Sequence, residues 1–369
     1  MRTDALALPP FRRERILIIG HAPLAWQIAR ELDQRSRAHE LVGIVQDSLA
    51  PVGDGADDTC GTLADLPDIV ARTNPGRVLV ALAERRRRTP IRTLVESCLA
   101  RGIVVEDAAE FYERLTGQLA IESLAPASLV YSRRFGPSRS GQVMSRAVSL
   151  GVAILGLIVM SPLLALIAIA VKLDSAGPVL FVHQRIGLHG RRFHLLKFRT
   201  MREARGLRSE WERDNRDRVT RVGRILRAFR LDELPQFINV VRGEMNLVGP
   251  RPHPASNYDL FTLVARNLNQ VTGTAVDYYS LRTMVRPGIT GWAQVRYRYA
   301  NDLDEEIEKL RYDLYYVKHF SVVMDLRILA ATVLVMLKGH PAGRPSTKAA
   351  EERSPSVALA PQINTTQAA

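Results

Sequence analysis

The beginning of the chain alternates short apolar runs with stretches of helical spacing. Runs at 15–20, 40–47 and 77–82 are typical of buried strands, and the apolar positions of 24–32 recur with the period of a helix. Strands that alternate with helices predict a parallel, doubly wound sheet. We therefore predict an α/β fold with a Rossmann-like domain over residues 1–130.

The turn after the first predicted strand is relevant to cofactor binding. A dinucleotide fingerprint needs G-x-G-x-x-G at this point, and the three positions are Gly20, Ala22 and Ala25. Without the second glycine, a pyrophosphate cannot approach the backbone closely. The pattern favours a structural or regulatory domain, and an NAD-dependent sugar-nucleotide enzyme is the alternative that it leaves open.

A long apolar run lies in the middle of the chain. Residues 147–171 are 25 residues without a formal charge, bounded by Arg146 and Lys172. As a helix they would measure about 37 Å, enough to cross a bilayer core of about 30 Å. The run predicts that the protein meets a membrane.

Two features of this run oppose a simple span. Ser161 and Pro162 lie inside it, and a proline there removes a helix hydrogen bond and kinks the helix. Both flanks are basic, whereas the positive-inside rule places such an excess on one side of the membrane. A re-entrant helix that breaks at Ser161–Pro162 and an ordinary kinked transmembrane helix both fit the pattern.

Charge and cysteine content narrow the class of protein. The chain has 51 Lys and Arg against 38 Asp and Glu, a formal charge of +13, which suits an anionic partner. Because the apolar run indicates a membrane, we expect phosphorylated substrates and lipid headgroups rather than nucleic acid. Cys60 and Cys98 have no metal-type spacing, which excludes a zinc finger and a disulfide scaffold.

An arginine-rich helix is predicted after residue 220. Arg221, Arg224, Arg227 and Arg230 are interleaved with apolar residues at helical spacing. Such a run can be a solvated cationic face, or it can lie on anionic headgroups or line a phosphate site.

Two adjacent carboxylates follow this helix. Pro235 fits the first turn of a second helix and Gly243 fits its C-terminal end, which places Asp232 and Glu233 at the helix N-terminus. An acid there is commonly a cap. In a basic region, such a pair can also hold a divalent cation or attack phosphorus as a nucleophile. Arg251, fixed in a Gly-Pro-Arg-Pro turn, is a candidate phosphate ligand.

The chain resembles the bacterial sugar transferase family, the monotopic polyprenol-phosphate phosphoglycosyl transferases. The family motifs occur in order within residues 140–338: FVHQRIG at 181–187, KFRTM at 197–201, TRVG at 220–223, LDELPQ at 231–236, GEMNLVGPRP at 243–252 and VRPGITGWAQ at 285–294. With ERLTG at 113–117, the layout is similar to the exopolysaccharide-type subgroup that carries a Rossmann-like domain before the transferase.

The resemblance implies a reaction at a bacterial cytoplasmic membrane. A sugar 1-phosphate would pass from a UDP-sugar to undecaprenyl phosphate, giving undecaprenyl-diphosphate-sugar and UMP. The catalytic domain, residues 140–338, would be mainly α (α+β), would face the cytoplasm and would be anchored by a re-entrant helix at 147–171. A homo-oligomer is compatible with this layout, and the tail at 340–369 is predicted to be disordered.

The resemblance also implies roles for individual residues. Asp232 would be the nucleophile that forms a phosphosugar ester and a ligand of Mg²⁺, with Glu233 assisting it. The candidates for substrate binding are Lys197, Arg199, Arg221, Arg251 and Asp325. A non-catalytic membrane scaffold of polysaccharide assembly, in which the two acids only cap a helix, is the alternative interpretation.

Overall fold

The first part of the chain is a five-stranded sheet in the computed structural model. The structure describes residues 13–20, 23–35, 38–46, 59–81, 92, 96–121, 135–202, 217–256, 258–259, 276–297 and 303–338. The predicted disordered tail and the predicted boundary at residue 130 lie outside these ranges. The strands are β1 (Glu14–Ile19), β2 (His39–Gln46), β3 (Thr59–Thr62), β4 (Arg77–Val80) and β5 (Val104–Asp107).

All neighbouring strands of this sheet are parallel, in the order β3-β2-β1-β4-β5. Helices cover both faces: α1 (Pro23–Arg35) and α3 (Ala108–Thr116) lie on one face and α2 (Leu66–Thr73) on the other. Side chains of β1 point alternately to the two faces, so its continuous apolar run is buried on both sides. The order is that of a Rossmann-like sheet, and the predicted α/β class fits.

The second part is mostly helical. Its strands form two small sheets, an antiparallel hairpin of β6 (Leu180–Ile186) and β7 (Arg192–Phe198) and a parallel pair of β8 (Asn246–Val248) and β9 (Gly288–Thr290). In chain order its elements are α4 (Arg139–Asp174), β6 (Leu180–Ile186), β7 (Arg192–Phe198), α5 (Arg221–Ala228), α6 (Gln236–Arg242), β8 (Asn246–Val248), β9 (Gly288–Thr290), α7 (Trp292–Arg296), α8 (Leu303–Lys318) and α9 (Val322–Lys338).

Helix α4 contains the apolar run. It is the one helix among the described residues that is long and apolar enough to cross a membrane, and little of that stretch is buried in the protein. The helix continues through Ser161 and Pro162, so the break predicted there is not confirmed. Pro162 has no N–H for the carbonyl of Ile158, and the Ser161 hydroxyl donates to that carbonyl at 2.9 Å. The serine therefore supplies the hydrogen bond that the proline cannot make.

Helices α4 and α6 are in close contact. A Cβ at Gly156 would lie 2.9 Å from the ring of Phe237, so a larger residue would push the helices apart. Ser149 accepts a hydrogen bond from the amide of Leu247 in β8 at 3.1 Å. These contacts fix α4 to two elements, α6 and β8, that follow the carboxylate pair in the chain.

The two parts of the chain meet along helix α8. The indole of Trp292 donates to the carbonyl of Gly117 at 2.8 Å, and the amide of Leu119 donates to the carbonyl of Arg311 at 3.0 Å. Leu119 also packs in an apolar cluster with Leu310 and Leu314. Helix α8 therefore contacts the segment that follows α3.

Candidate functional site

Asp232 and Glu233 occupy a short 3₁₀ turn, Leu231–Glu233, between α5 and α6. The N-cap of α6 is Pro235, so neither acid caps this helix, whereas Gly243 ends it as predicted with φ 85°. As whole residues, Asp232 and Glu233 are only 8% and 9% exposed. Their burial without a capping role argues against the purely structural interpretation of the pair.

Two cations converge on Glu233 from distant parts of the chain. Lys197 Nζ, from β7, and Arg251 Nη2, from the turn after β8, each lie 2.9 Å from Oε1 of Glu233. Among the described residues, no side chain forms an ion pair with Asp232. The site therefore holds one carboxylate fixed by cations beside one whose oxygens are available.

The environments of the two acids shift their pKa values in opposite directions. Burial alone would raise the pKa of Glu233, but the positive charges of Arg251 and Lys197 outweigh it and hold the pKa well below its usual range. Burial raises the pKa of Asp232, against the opposing effect of Lys197. Burial also lowers the pKa of Lys197. Glu233 is thus ionised and already neutralised, whereas the charge of Asp232 is poorly compensated.

The Gly-Pro-Arg-Pro turn is held by its carbonyl groups. Pro250 and Pro252 have no N–H, so their carbonyls are their only backbone hydrogen-bonding groups. The amide of Gly288 donates to the carbonyl of Pro250 at 3.0 Å, and Arg185 donates to that of Pro252 at 3.2 Å. These contacts fix the backbone from which the Arg251 side chain reaches Glu233.

The structure places the other predicted binding residues apart from this pair. Arg199 is buried and donates through Nη2 to the carbonyl and hydroxyl of Ser175, just beyond the end of α4. Its Nε and Nη1 have no hydrogen-bond partner in the described part of the chain. Arg221 is exposed at the start of α5. Asp325, on α9, accepts from the hydroxyls of Ser145 and Tyr316 at 2.5 and 2.7 Å.

Several residues near the site were not predicted. Arg227 lowers the pKa of Asp232 by its charge and donates to the hydroxyl of Thr200 at 3.1 Å. Arg282 and Asp313 form a buried ion pair behind Arg251. Arg227 belongs to the arginine-rich helix for which the sequence left a phosphate-lining role open, although it was not among the predicted site residues. The Arg282–Asp313 pair gives no signal in the sequence, because its members are 31 residues apart and belong to different elements.

The donor set for a metal is small. The described residues contain no group of three or more His, Cys, Asp or Glu side chains that could hold an ion. Mg²⁺ is often bound by one or two carboxylates together with substrate phosphates. Asp232, whose carboxylate is buried and not paired, fits that mode, and Glu233 is already engaged by Lys197 and Arg251.

The described structure thus combines an α/β domain, a long apolar helix and a buried carboxylate pair beside cations. Residues 140–339 match the family model described as bacterial sugar transferase. The chain belongs to the bacterial sugar transferase family.

Curated relatives of this chain are named as sugar phosphotransferases of undecaprenyl phosphate. The chain is 36% identical over 248 residues to the UDP-N-acetylgalactosamine-undecaprenyl-phosphate N-acetylgalactosaminephosphotransferase of Aeromonas hydrophila, covering 66% of this chain and 54% of the relative. It is 31% identical over 332 residues to the undecaprenyl-phosphate glucose phosphotransferase of Komagataeibacter xylinus, covering 86% of this chain and 58% of that protein. The chain thus spans little more than half the length of these relatives.

A shorter relative is matched over more of its own length. The UDP-glucose:undecaprenyl-phosphate glucose-1-phosphate transferase of Caulobacter vibrioides is 38% identical over 221 residues, which cover 58% of this chain and 78% of that protein.

Proposed function

We propose that this protein transfers a sugar 1-phosphate from a UDP-sugar to undecaprenyl phosphate and releases UMP. The names of the Aeromonas and Caulobacter relatives give both classes of substrate, and the name of the Komagataeibacter relative gives undecaprenyl phosphate and glucose. The observation that carries the proposal is the pairing of Lys197 and Arg251 on one oxygen of Glu233, next to the unpaired carboxylate of Asp232. With Arg227 the site has three cations and two carboxylates, an excess of positive charge that favours a phosphate.

The proposed chemistry has two steps at one phosphorus atom. An oxygen of Asp232 attacks the β-phosphorus of the UDP-sugar, the bond from that phosphorus to the bridging oxygen breaks, and UMP leaves with that oxygen. A phosphate oxygen of undecaprenyl phosphate then attacks the same phosphorus and releases the Asp232 carboxylate. The ionised Glu233 keeps Lys197 and Arg251 beside the nucleophile, where their N–H groups can also bind the negative charge of the transferred phosphate.

Mg²⁺ is part of this proposal as a cofactor that Asp232 would hold together with the substrate phosphates. When bound, the ion would neutralise phosphate charge.

Arg199 supports a phosphorylated substrate as well, because a buried guanidinium with unpartnered donors is costly unless an anion joins it.

The test is UMP release by purified protein with Mg²⁺ and a UDP-sugar, either UDP-glucose or UDP-N-acetylgalactosamine. Without the lipid, we expect a burst of about one UMP per enzyme, the signature of a covalent intermediate. With undecaprenyl phosphate, turnover should continue. Asp232→Asn should abolish both, whereas Asp259→Asn, a matched change at an exposed acid paired with Arg192, should leave both unchanged.

Each other outcome has a definite meaning. Full turnover by Asp232→Asn would exclude the covalent mechanism. If no UMP is released until the lipid is added, the covalent mechanism would be replaced by direct transfer from the UDP-sugar to undecaprenyl phosphate. No UMP from folded protein with any donor sugar would favour the membrane scaffold.

For the membrane arrangement, we propose that α4 enters the cytoplasmic leaflet and returns at Ser161–Pro162. Apolar side chains of α4, together with Ile225 and Phe229 at α5, are exposed and suit a lipid surface. With Cys60 and Cys98 replaced by serine, cysteines at Ser140 and Phe181 should be labelled from the same, cytoplasmic side. Labelling from opposite sides would establish a span.

A further inference from the structure

A buried cluster of charged side chains lies directly behind the turn that carries Arg251. Arg282, in the 3₁₀ helix Val276–Met284, donates through Nη2 to Oδ2 of Asp313 on α8 at 2.7 Å. Their exposed fractions are 6% and 2%. Neither residue has a contact with Asp232 or Glu233 among those that the described structure shows, so the pair is not part of the proposed reaction.

The same Nη2 atom of Arg282 also donates to the backbone carbonyl of Arg251 at 3.0 Å. Arg282 Nη1 lies 2.8 Å from Nδ1 of His253 and 3.1 Å from the hydroxyl of Tyr279. A planar guanidinium fixes several directions at once, which a lysine cannot do. The Arg282 side chain therefore contacts the turn at two points, the carbonyl of Arg251 and the ring of His253.

The charges of this cluster balance. Arg282 and Lys309 are cations, and Asp313 and Glu306 are anions. Burial, reinforced by Arg282, lowers the pKa of His253 well below its usual range, so its ring is neutral. Because its charges balance, the cluster exerts little net electrostatic effect on Asp232 and Glu233. Its contribution to the site is to fix the backbone of the turn at Arg251.

We propose that Arg282 and Asp313 are positioning residues that hold the Arg251 backbone so that its guanidinium reaches Glu233. Asp313 fixes the guanidinium of Arg282, and Arg282 fixes the carbonyl of Arg251. The donors on the neighbouring carbonyls, from Gly288 and Arg185, leave the carbonyl of Arg251 to Arg282. This inference rests on the proposed function, since Arg251 is assigned there to the phosphate site.

The experiment measures UMP release and thermal unfolding for Arg282→Lys and Asp313→Asn, alone and combined with Arg251→Met. Each single change should lower kcat about ten- to hundredfold, because a displacement near 1 Å can cost about that much. The KM for the UDP-sugar should change much less. In the Arg251→Met background, either change should have almost no further effect, because the side chain that it positions is gone.

A matched control uses an ion pair of the Rossmann-like domain. Arg77 pairs with Glu14 and Glu106 at 3.0 and 2.6 Å. Arg77→Lys should lower the melting temperature as Arg282→Lys does, with no change in kcat. This comparison separates loss of stability from loss of positioning.

The outcomes separate the two proposals. An inactive wild-type protein would overturn the proposed function and this inference with it. If the wild type is active, wild-type kcat in both single variants would overturn the positioning role alone. Equal losses with and without the Arg251 side chain, or misfolding of both conservative variants, would likewise assign Arg282 and Asp313 to stability only.

Discussion

The Lys318 ammonium group lies 2.9 and 2.8 Å from the two carboxylate oxygens of Glu113, and it connects helix α8 to helix α3 of the Rossmann-like domain. Glu113 is almost fully buried, and the ring of His319 lies 3.3 Å from the same carboxylate. The Rossmann-like domain is thereby attached through an ion pair to the helix that also carries Asp313.

Breaking this ion pair should destabilise the protein. Glu113→Gln leaves the Lys318 ammonium without its anion, and removing one partner of a buried pair costs about 3 kcal/mol. Because Lys318 is partly exposed, we expect a loss nearer about 2 kcal/mol, measured by denaturant or thermal unfolding. Glu110→Gln, on the exposed side of the same helix, should change stability little, and an equal loss there would contradict the assignment.

The residue before the carboxylate turn has a strained backbone. Arg230 has φ 55°, in the left-handed region that is unfavourable for residues with a side chain. Arg230→Gly should raise stability or leave it unchanged, and Arg230→Val should lower it by about 1–2 kcal/mol. The control is Arg224, which is exposed in the interior of α5. Arg224→Gly should lower the free energy of unfolding by about 1 kcal/mol, because glycine is unfavourable inside a helix. If Arg230→Gly is as harmful as Arg224→Gly, the left-handed conformation is not the cause.

The hydroxyl of Ser161 should be needed only while Pro162 is present. Ser161→Ala removes the donor to the Ile158 carbonyl on a helix that we propose to lie in lipid, and it should cost about 1 kcal/mol. Pro162→Ala restores the backbone N–H, so Ser161→Ala in that background should be nearly neutral. Thermal unfolding in lipid nanodiscs of the wild type, the two single variants and the double variant measures the coupling between the two effects on stability. Additive effects would show that Ser161 and Pro162 act independently.

Stability should depend on acid through Glu106. The Arg114 guanidinium, with a further contribution from Arg77, holds the pKa of Glu106 below its usual range. A carboxylate with a lowered pKa in the folded state stabilises the fold above its unfolded-state value and loses that contribution as the pH falls through the folded value. The melting temperature should therefore fall more steeply from about pH 5 to about pH 3 in the wild type than in Glu106→Gln. Parallel curves would show that Glu106 does not contribute.

Periodicity in the sequence was sufficient to predict several of the local elements. The apolar run of β1 is buried on both faces of the sheet, the run at 147–171 lies within one long helix, and Gly243 ends α6. These features depend on neighbouring residues and on the burial of a short stretch. The local pattern of apolar and polar residues encodes both the element type and its burial. Strand β3 was not predicted, because the four-residue segment Thr59–Thr62 has no long apolar run.

The partners of the functional side chains depended on the tertiary structure. Lys197 and Arg251 are separated from Glu233 by 36 and 18 residues, yet both contact the same oxygen. Arg199, which belongs to the same motif as Lys197, contacts Ser175 instead, and Asp325 lies with Ser145 and Tyr316. The sequence by itself determined the family, the membrane-seeking helix and the carboxylate pair. Only the path of the chain in space decided which cation meets which carboxylate, because an ion pair depends on distances between elements that no local pattern encodes.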